Sequence, residues 1–409
     1  MSPSFAATLI FVGTYTGVAL GSIPGLAIDR TGIALLGAIA MVALGILDTA
    51  ESFRAVDTST ILLLYALMVL SAQFRLGGFY TRTALGIVRF MKRPKVFLLV
   101  LMATSALLSS ILANDIVCLA FTPVLCVSLL RASMNPMPFL LGLACSSNLG
   151  SAATIIGNPQ NMLIGQIGHL DFGQFVVRCT PPSILSLFVA YLVILAAYRG
   201  RWTEEAPHTG VLQEGWPSYD RHQSLKGLVL TFILVGMFFT PVPREMTAIA
   251  IAGVVLCNRK FKTRTILGLV DWHLITLFCA LFIVVEGVVK FGIPQMAVHL
   301  LASHGFDIDS PPVLAGAAVV LSNIVSNVPA VILLLKNIDL GNTANLHLLA
   351  LMSTYAGNLI TIGSIANLIT VEFAKTYDVE ISFREHARVG IPVTILSILI
   401  ALFWMEWTG

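Results

Sequence analysis

Residues 146–161 read SSNLGSAATIIGNPQN, a polar stretch with Gly157 and Pro159 that interrupts an otherwise apolar segment. A similar stretch, YAGNLITIGSIAN, occupies residues 355–367. Glycine and proline interrupt helices. Because unpaired backbone groups cannot face lipid, irregular backbone at membrane depth must line a cavity or lie buried in protein. The two stretches therefore predict two broken membrane helices.

The composition of the whole chain indicates a membrane protein. Of its 409 residues, 57% are apolar and only 11% are charged, whereas soluble domains carry about 25% charged residues. Apolar runs of about 17–25 residues, each long enough to span the hydrocarbon layer, recur along the chain. We therefore expect an all-α integral membrane protein with about 10–12 transmembrane helices, including broken helices or re-entrant hairpins.

An internal repeat divides the chain. Asp57–Ile61 aligns with Asp271–Ile275 at an offset of 214 residues, and Leu108–Asn114 with Leu321–Asn327 at an offset of 213. The polar stretch ending at Asn161 aligns with the one ending at Asn367 at an offset of 206. Three blocks in one order predict a first repeat over 1–198, a polar cytoplasmic linker over 199–224 and a second repeat over 225–409.

The charges of the loops predict that the two repeats have opposite orientations. In the first repeat the loop 48–57 is acidic and the loop 75–95 is basic. In the second repeat the loop 259–264 is basic, and the later loop carries Asp307 and Asp309. Because basic loops stay in the cytoplasm, equivalent loops lie on opposite sides. This is the inverted-repeat architecture of secondary transporters, and it predicts a multi-pass protein of the cell inner membrane.

Amide and hydroxyl side chains in the interrupted segments are the candidate solute ligands, because broken helices in transporters present such groups to the solute. Single serines and threonines could equally be helix-packing residues. The repeat places Asn161 and Asn367 at equivalent positions, and we expect them to meet at the solute site. The predicted substrate-binding residues are Asn114, Asn148, Thr154, Asn158, Asn161, Asn327, Asn358, Thr361, Ser364 and Asn367.

Asp115 is the acidic residue within the apolar core of the first half. A charge near the bilayer centre costs about 2.5–3.5 kcal/mol. A protonatable carboxylate avoids that cost while it stays neutral, so Asp115 is the candidate proton-coupling residue, with a helix cap as the structural alternative. Glu286 and Lys290, four residues apart and near a helix end, are expected to form a local ion pair or to extend their charged ends toward water.

The sequence resembles the ArsB/NhaD ion-transporter family, and particularly its YbiR-like members. The resemblance runs from about residue 50 to residue 408. It rests on Gly157-Asn-Pro-Gln-Asn161, similar to the family's G-[ND]-P-x-N element, on the pair Asn114-Asp115, and on Ser326-Asn-Val-Pro329. It implies two inverted repeats with a scaffold and a transport core, and a substrate drawn from arsenite or antimonite, sodium and protons, or organic and inorganic anions.

The residues and the resemblance together favour arsenite or antimonite efflux in exchange for protons, because amides and hydroxyls suit a neutral hydroxylated solute. An anion symporter for dicarboxylate or sulfate and a Na⁺/H⁺ antiporter are the alternatives. The signature Ser-Asn-Thr of dicarboxylate carriers is absent, since Leu149 and Val328 replace its threonine. Neither HExxH nor GxSxG occurs, so we expect no enzymatic activity, no metal and no cofactor. The sequence leaves open whether the protein forms a homodimer and whether an ATPase subunit associates with it.

Overall fold

The computed structural model describes residues 2–21, 26–203, 216 and 218–408, and this part of the chain is almost entirely helical. Half of the expected linker 199–224, namely 204–215 and 217, lies outside the described residues. The first half contains α1 (Pro3–Leu20), α2 (Arg30–Ala43), α3 (Thr49–Ala55), α4 (Thr58–Leu76), α5 (Phe79–Val88), α6 (Pro94–Ile111), α7 (Asn114–Arg131), α8 (Met137–Ser151), α9 (Pro159–Ile167) and α10 (Phe172–Ala197).

The second half repeats these ten helices in the same order. It contains α11 (Arg221–Met237), α12 (Arg244–Leu256), α13 (Thr263–Leu267), α14 (Trp272–Val289), α15 (Ile293–Ser303), α16 (Pro311–Val325), α17 (Asn327–Leu335), α18 (Thr343–Ala356), α19 (Ile365–Lys375) and α20 (Phe383–Thr408), with a short 3₁₀ turn at Thr361–Gly363. Seven described helices are long and apolar enough to cross a membrane, and α2 and α16 are shorter apolar helices.

Local details repeat along with the helix order. Asp57 and Asp271 cap α4 and α14 by accepting a hydrogen bond from the backbone N–H three residues later. Gly78 and Gly292 begin α5 and α15 in the left-handed conformation, at φ 66° and φ 67°. This backbone conformation strains any residue with a Cβ, which accounts for glycine at both positions.

The helices pack in two groups. In the first group, helices of one half pack against helices of the other half. There α4 packs against α12 of the other half, and its counterpart α14 packs against α2. In the second group α6 packs on α8, α16 on α18, and α10 on α20. The pairs α7 with α19 and α17 with α9 also join opposite halves. The two repeats therefore build both groups together.

Side-chain contacts place the charged loops as the inverted arrangement requires. Asn258, in the second basic loop, donates a hydrogen bond to Gln73 at the end of α4, beside the first basic loop. On the other face, Lys290 pairs with Glu51 of the acidic loop at 2.7 Å. Lys290 holds the pKa of the Glu51 carboxyl below its usual value through this hydrogen bond.

The expected local ion pair between Glu286 and Lys290 is wrong. Lys290 pairs with Glu51, and Glu286 pairs with Lys336 at 3.0 Å. In both cases the partner belongs to another helix. Tertiary packing brings these partners closer than the spacing along a single helix does.

Candidate functional site

The tips of two helical hairpins lie beside the breaks in the next helices. The turn between α6 and α7 is at Leu112–Ala113, and Ser147 of α8 donates a hydrogen bond to the carbonyl of Asn114 at 3.0 Å. In the second half, the Asn327 amide faces the carbonyls of Ser353 and Gly363 at 3.1 and 3.2 Å. Ser147 and Ser353 are equivalent positions. Each tip is therefore bound to the broken helix of its own half.

Asn148, near the end of α8, connects the two halves. Its amide nitrogen donates to Oδ1 of Asn358 at 2.8 Å and to Oδ1 of Asn367 at 3.1 Å. Its oxygen accepts from Ser364 at 2.9 Å and from Asn114 at 3.3 Å. Both donors and both lone pairs of this amide are thus used. Because Asn148 is only 2% exposed, these bonds form away from water.

Thr354, the equivalent of Asn148 in α18, makes the reciprocal connection. Its hydroxyl donates to Oδ1 of Asn161 at 3.3 Å and accepts from Asn158 at 3.2 Å and from Gln160 at 3.4 Å. Asn158 and Asn161 are the counterparts of Ser364 and Asn367. Each helix end therefore binds the broken segment of the opposite half, as a two-fold relation between the halves requires.

Asn161 and Asn367 occupy matching environments. The Asn161 amide donates to the carbonyl of Ser151 at 3.3 Å, and the Asn367 amide donates to the carbonyl of Gly357, the equivalent residue, at 2.7 Å. The structure gives no hydrogen bond between Asn161 and Asn367 themselves, both of which are described. Asn148 and Thr354 make the contact between the halves, and a direct meeting of the two asparagines at a solute stays a prediction.

Four helices begin around one small cavity of about 30 Å³ in the centre. It is lined by the first residues of α7, α9, α17 and α19: Asn114, Asp115, Pro159, Gln160, Asn327, Val328 and Ile365, together with Leu274, Ser326 and Ser364. The N-terminus of a helix presents free backbone N–H groups and carries partial positive charge. The cavity is therefore suited to oxygen atoms of a solute.

Asp115 lies at the entrance to this cavity. Its carboxylate is half-buried and also lines a second cavity of about 120 Å³, together with Arg75, Asp271 and mostly apolar side chains. The N-cap position of α7 is Ala113, so Asp115 is not the helix cap considered as its structural alternative. No described residue lies within ion-pair distance of Asp115. It is an acid in the first turn of a helix, where the helix dipole favours negative charge.

Two larger vestibules lie on opposite faces at equivalent places in the repeats. The first vestibule, of about 650 Å³, is lined by Asp57, Asp171, Arg244 and Glu245 among others and lies on the face of the acidic loop 48–57. The second, of about 520 Å³, is lined by Asp29, Arg30, Asp271 and Glu372 among others, on the face of the basic loops. Only the second is also lined by Ser326, Val328 and Ile365 of the central cavity. Access in this conformation is therefore from the basic face.

The sequence-predicted ligands fall into a central group and a peripheral group. Asn114, Asn148, Asn158, Asn161, Asn327, Asn358, Ser364 and Asn367 share the central hydrogen-bond network. Thr154 bonds the carbonyl of Ser110, and the Thr361 hydroxyl has no partner among the described residues. Whether any of them binds solute stays a prediction.

Several residues of the network were not among the predicted ligands, and Thr354, Gln160 and His386 are three of them. Thr354 could have been found by applying the offset of 206 to Asn148. Gln160 follows the helix-starting proline of α9, within the quoted motif. His386 of α20 is bonded through Nε2 to the carbonyl of Asn358 at 3.0 Å, and no motif in the sequence marked it.

Inverted repeats, two broken helices and two hairpin tips around a polar cavity define a membrane transporter. The chain belongs to the CitMHS family, described as "Citrate transporter", whose model matches residues 15–356. The match supports the expected place in the ion-transporter superfamily, and the narrower assignment to the ArsB/NhaD family stays a prediction.

Several relatives match over most of their length. The chain is 28% identical to a "46 kDa membrane protein" of Mycobacterium leprae, covering 99% of both chains. It is 30% identical to "Inner membrane protein YbiR" of Escherichia coli, covering 85% of this chain and 87% of that protein. It is 26% identical to "Silicon efflux transporter LSI3" of Oryza sativa, covering 93% of both. The expected likeness to YbiR is thereby confirmed.

A solved structure shares the fold. The crystal structure of the YdaH transporter of Alcanivorax borkumensis, described as having an unusual topology, matches with a TM-score of 0.54. The match covers 100% of this chain and 98% of that chain at 13% sequence identity. At this identity the likeness concerns the fold alone.

Proposed function

We propose that this protein exports a small neutral oxyacid of a metalloid, arsenite or antimonite in particular, across the cytoplasmic membrane in exchange for protons. The observation that carries this proposal is the set of charged residues that line the central cavity and the two vestibules. The central cavity is lined by one acid, Asp115, and by no lysine or arginine. Each vestibule is lined by three carboxylates and one guanidinium.

Charges of this kind disfavour a free polyanion, because like charges repel it along the whole approach. A neutral hydroxylated solute carries both donors and acceptors of hydrogen bonds. The helix N-termini offer N–H donors to its oxygens, and Oδ1 of the buried Asn114 has no partner among the described residues and can accept from a hydroxyl. The rice relative is named a silicon efflux transporter, and silicon, like arsenic and antimony, is a metalloid.

Proton exchange would supply the driving force through Asp115. A neutral solute needs a second species to move it against its gradient, and binding of that species must bias which face is open. Asp115 lies between the central cavity and the cavity that contains Asp271. Protonation of its carboxylate would remove the charge that the surrounding apolar side chains solvate poorly.

A citrate-like anion is the second candidate. The family description favours it, and so do the four helix N-termini, each equivalent to roughly +0.5 elementary charge. The acid in the central cavity and the acidic residues of the vestibules disfavour a citrate-like anion.

The test compares arsenite, antimonite and citrate as solutes of the same expressed protein. A metalloid-sensitive bacterium that expresses the chain is grown on graded arsenite and antimonite, and everted vesicles are assayed for arsenite and citrate uptake with and without a proton gradient. We expect resistance and gradient-dependent arsenite uptake, both retained when the six cysteines are replaced. Absence of resistance together with uptake of citrate would refute the proposal and select the anion candidate.

A further inference from the structure

Arg244 fastens one broken helix to the neighbouring group of helices. It is the first residue of α12, and its guanidinium donates to the carbonyl of Gly165 at 2.7 Å and to that of Leu170 at 2.9 Å. Gly165 is in the last turn of α9, and Leu170 is in the short connection that follows it. The next residue, Glu245, accepts from Gln166 of α9 at 3.1 Å and from Ser59 at 3.4 Å. These bonds lie at the inner end of the first vestibule, which does not reach the central cavity.

The second vestibule contains the equivalent residues, but among the described residues they form no bond to the broken helix. Thr31 bonds His273 at 3.5 Å, which matches the bond between Glu245 and Ser59. Arg30, the first residue of α2, corresponds to Arg244 at an offset of 214, and Thr31 corresponds to Glu245. Glu372 of α19 corresponds to Gln166 at an offset of 206. Arg30 and Glu372 both line this vestibule, yet they form no ion pair within the described part of the chain.

The residue types needed for the same contact are present on the second side, although in the conformation described the Thr31 hydroxyl donates to the carbonyl of His273 at 3.5 Å. On the closed side an amide, Gln166, donates to a carboxylate, Glu245. On the open side the carboxylate is on the broken helix, as Glu372, and the donor is on the facing helix, as the hydroxyl of Thr31. An arginine stands beside the pair in both cases, and arginine matches a carboxylate or paired carbonyls with several donors at once.

We propose that Arg244 and Arg30 are paired positioning residues for transport, and that each fastens the broken helix of the opposite half in one access state. In the conformation described, Arg244 holds α9, and the first vestibule does not reach the central cavity. In the alternate conformation α9 is released, and Arg30 and Thr31 hold the end of α19 through Glu372. Inverted repeats allow this exchange because each half can adopt the conformation of the other. The proposal rests on the transport function and not on the identity of the solute.

The equivalent positions Leu368 and Met162 provide matched reporters. Leu368 lines the second vestibule. Met162 is 1% exposed and lines the small cavity that contains Asp115, and in the exchanged conformation it would take the place that Leu368 has here. In a variant whose six cysteines are replaced, Leu368→Cys and Met162→Cys are introduced one at a time. Labelling by a water-soluble maleimide, in vesicles without any solute, then measures access to each side.

We expect rapid labelling of Leu368→Cys and slow labelling of Met162→Cys. Addition of Arg244→Ala should raise the rate at Met162→Cys and lower it at Leu368→Cys, each by about tenfold, since it removes two charge-assisted hydrogen bonds from one state only. Arg30→Ala should leave Met162→Cys slow and Leu368→Cys fast, and Arg244→Lys should restore part of the original difference. A purely structural role for Arg244 would instead raise labelling at both reporters, and that result, like unchanged rates at both, would overturn the proposal.

A second measurement tests the closed form of the second vestibule directly. Thr31→Cys and Glu372→Cys, combined in the variant without other cysteines, should form a disulfide under mild oxidation. The cross-linked protein should then label at Met162→Cys, because the other vestibule opens when this one shuts. Failure to cross-link, or cross-linking that leaves Met162→Cys inaccessible, would contradict the exchange. This outcome is independent of whether arsenite, citrate or another solute is carried.

Discussion

Asn148 and Thr354 occupy equivalent positions in the two halves, yet they hold the opposite half differently. Asn148 makes four hydrogen bonds of 2.8–3.3 Å, which use its whole amide. Thr354 makes three longer bonds of 3.2–3.4 Å with a single hydroxyl. The difference indicates that the repeat supplies the architecture of the site, whereas the departures from the repeat decide which half is held firmly and which can adapt.

The hairpin tips differ in the same way. In the first half, the tip begins α7 with Asn114 followed by Asp115, and in the second half α17 begins with Asn327 followed by Val328. The asparagine is retained because it joins the tip to the break, and the acid occurs once. A symmetric pair of acids would place two like charges around one small cavity, which is electrostatically unfavourable.

The largest expected effect comes from Asn148→Ala. The substitution leaves Oδ1 of Asn358, Oδ1 of Asn367 and the Ser364 hydroxyl without their partner, and each buried unpaired group costs about 1–3 kcal/mol. We expect loss of the folded protein or a drop of well over 10 °C in the unfolding temperature, a drop of about 2–4 °C being typical of 1 kcal/mol in chains of 150–250 residues. Fluorescence-detected size-exclusion chromatography after heating would measure it. Wild-type stability in this variant would contradict the central role of Asn148.

Asp115→Asn should abolish transport coupling without unfolding the protein. The amide is similar in size to the carboxyl group but cannot carry a proton between faces. We expect no accumulation of solute driven by a proton gradient, while exchange of solute across the membrane continues. The measurement is counterflow beside gradient-driven uptake in vesicles, with Val328→Asn at the equivalent position as the matched control. Gradients of wild-type size with an unchanged pH dependence in Asp115→Asn would exclude this residue as the proton carrier.

Thr354→Val should have a smaller effect than Asn148→Ala at the equivalent position. The change keeps the shape of the side chain and removes one hydroxyl whose three bonds are long. Asn158 retains its bond to Ser151 at 3.0 Å, so it is not left unpaired. We expect a loss of about 1–2 kcal/mol, the cost of one broken network of neutral hydrogen bonds. A loss as large as that of Asn148→Ala would show that both halves are held equally.

Much of this arrangement could be predicted from the sequence, because it depends on the repeat. The positions of the breaks followed from glycine and proline within apolar segments, and the inverted topology followed from the loop charges. The partners of each side chain did not follow. Glu286 and Lys290 were expected to pair along one helix, whereas each pairs with another helix, and the junction formed by Asn148 involves residues separated by more than 200 positions. Such contacts depend on helix packing, which short motifs do not encode.

The smallest predicted effect compares one substitution at the two hairpin tips. Ser326, between α16 and α17, has φ 77° and ψ 159°, a region that is essentially restricted to glycine, whereas its counterpart Ala113 has φ −55° and ψ 122°. A residue with a Cβ in the first conformation costs about 1–3 kcal/mol, and glycine costs about 0.5–1 kcal/mol in conformational entropy. Ser326→Gly should therefore raise the free energy of unfolding by about 1 kcal/mol, and Ala113→Gly should lower it by about 0.5–1 kcal/mol. Thermal unfolding of the two variants in the same detergent measures the difference. Opposite signs are the expected result because the unstrained tip gains nothing from glycine. Destabilisation by both substitutions would mean that the second tip stores no strain, and the two hairpins would then differ only in their side chains.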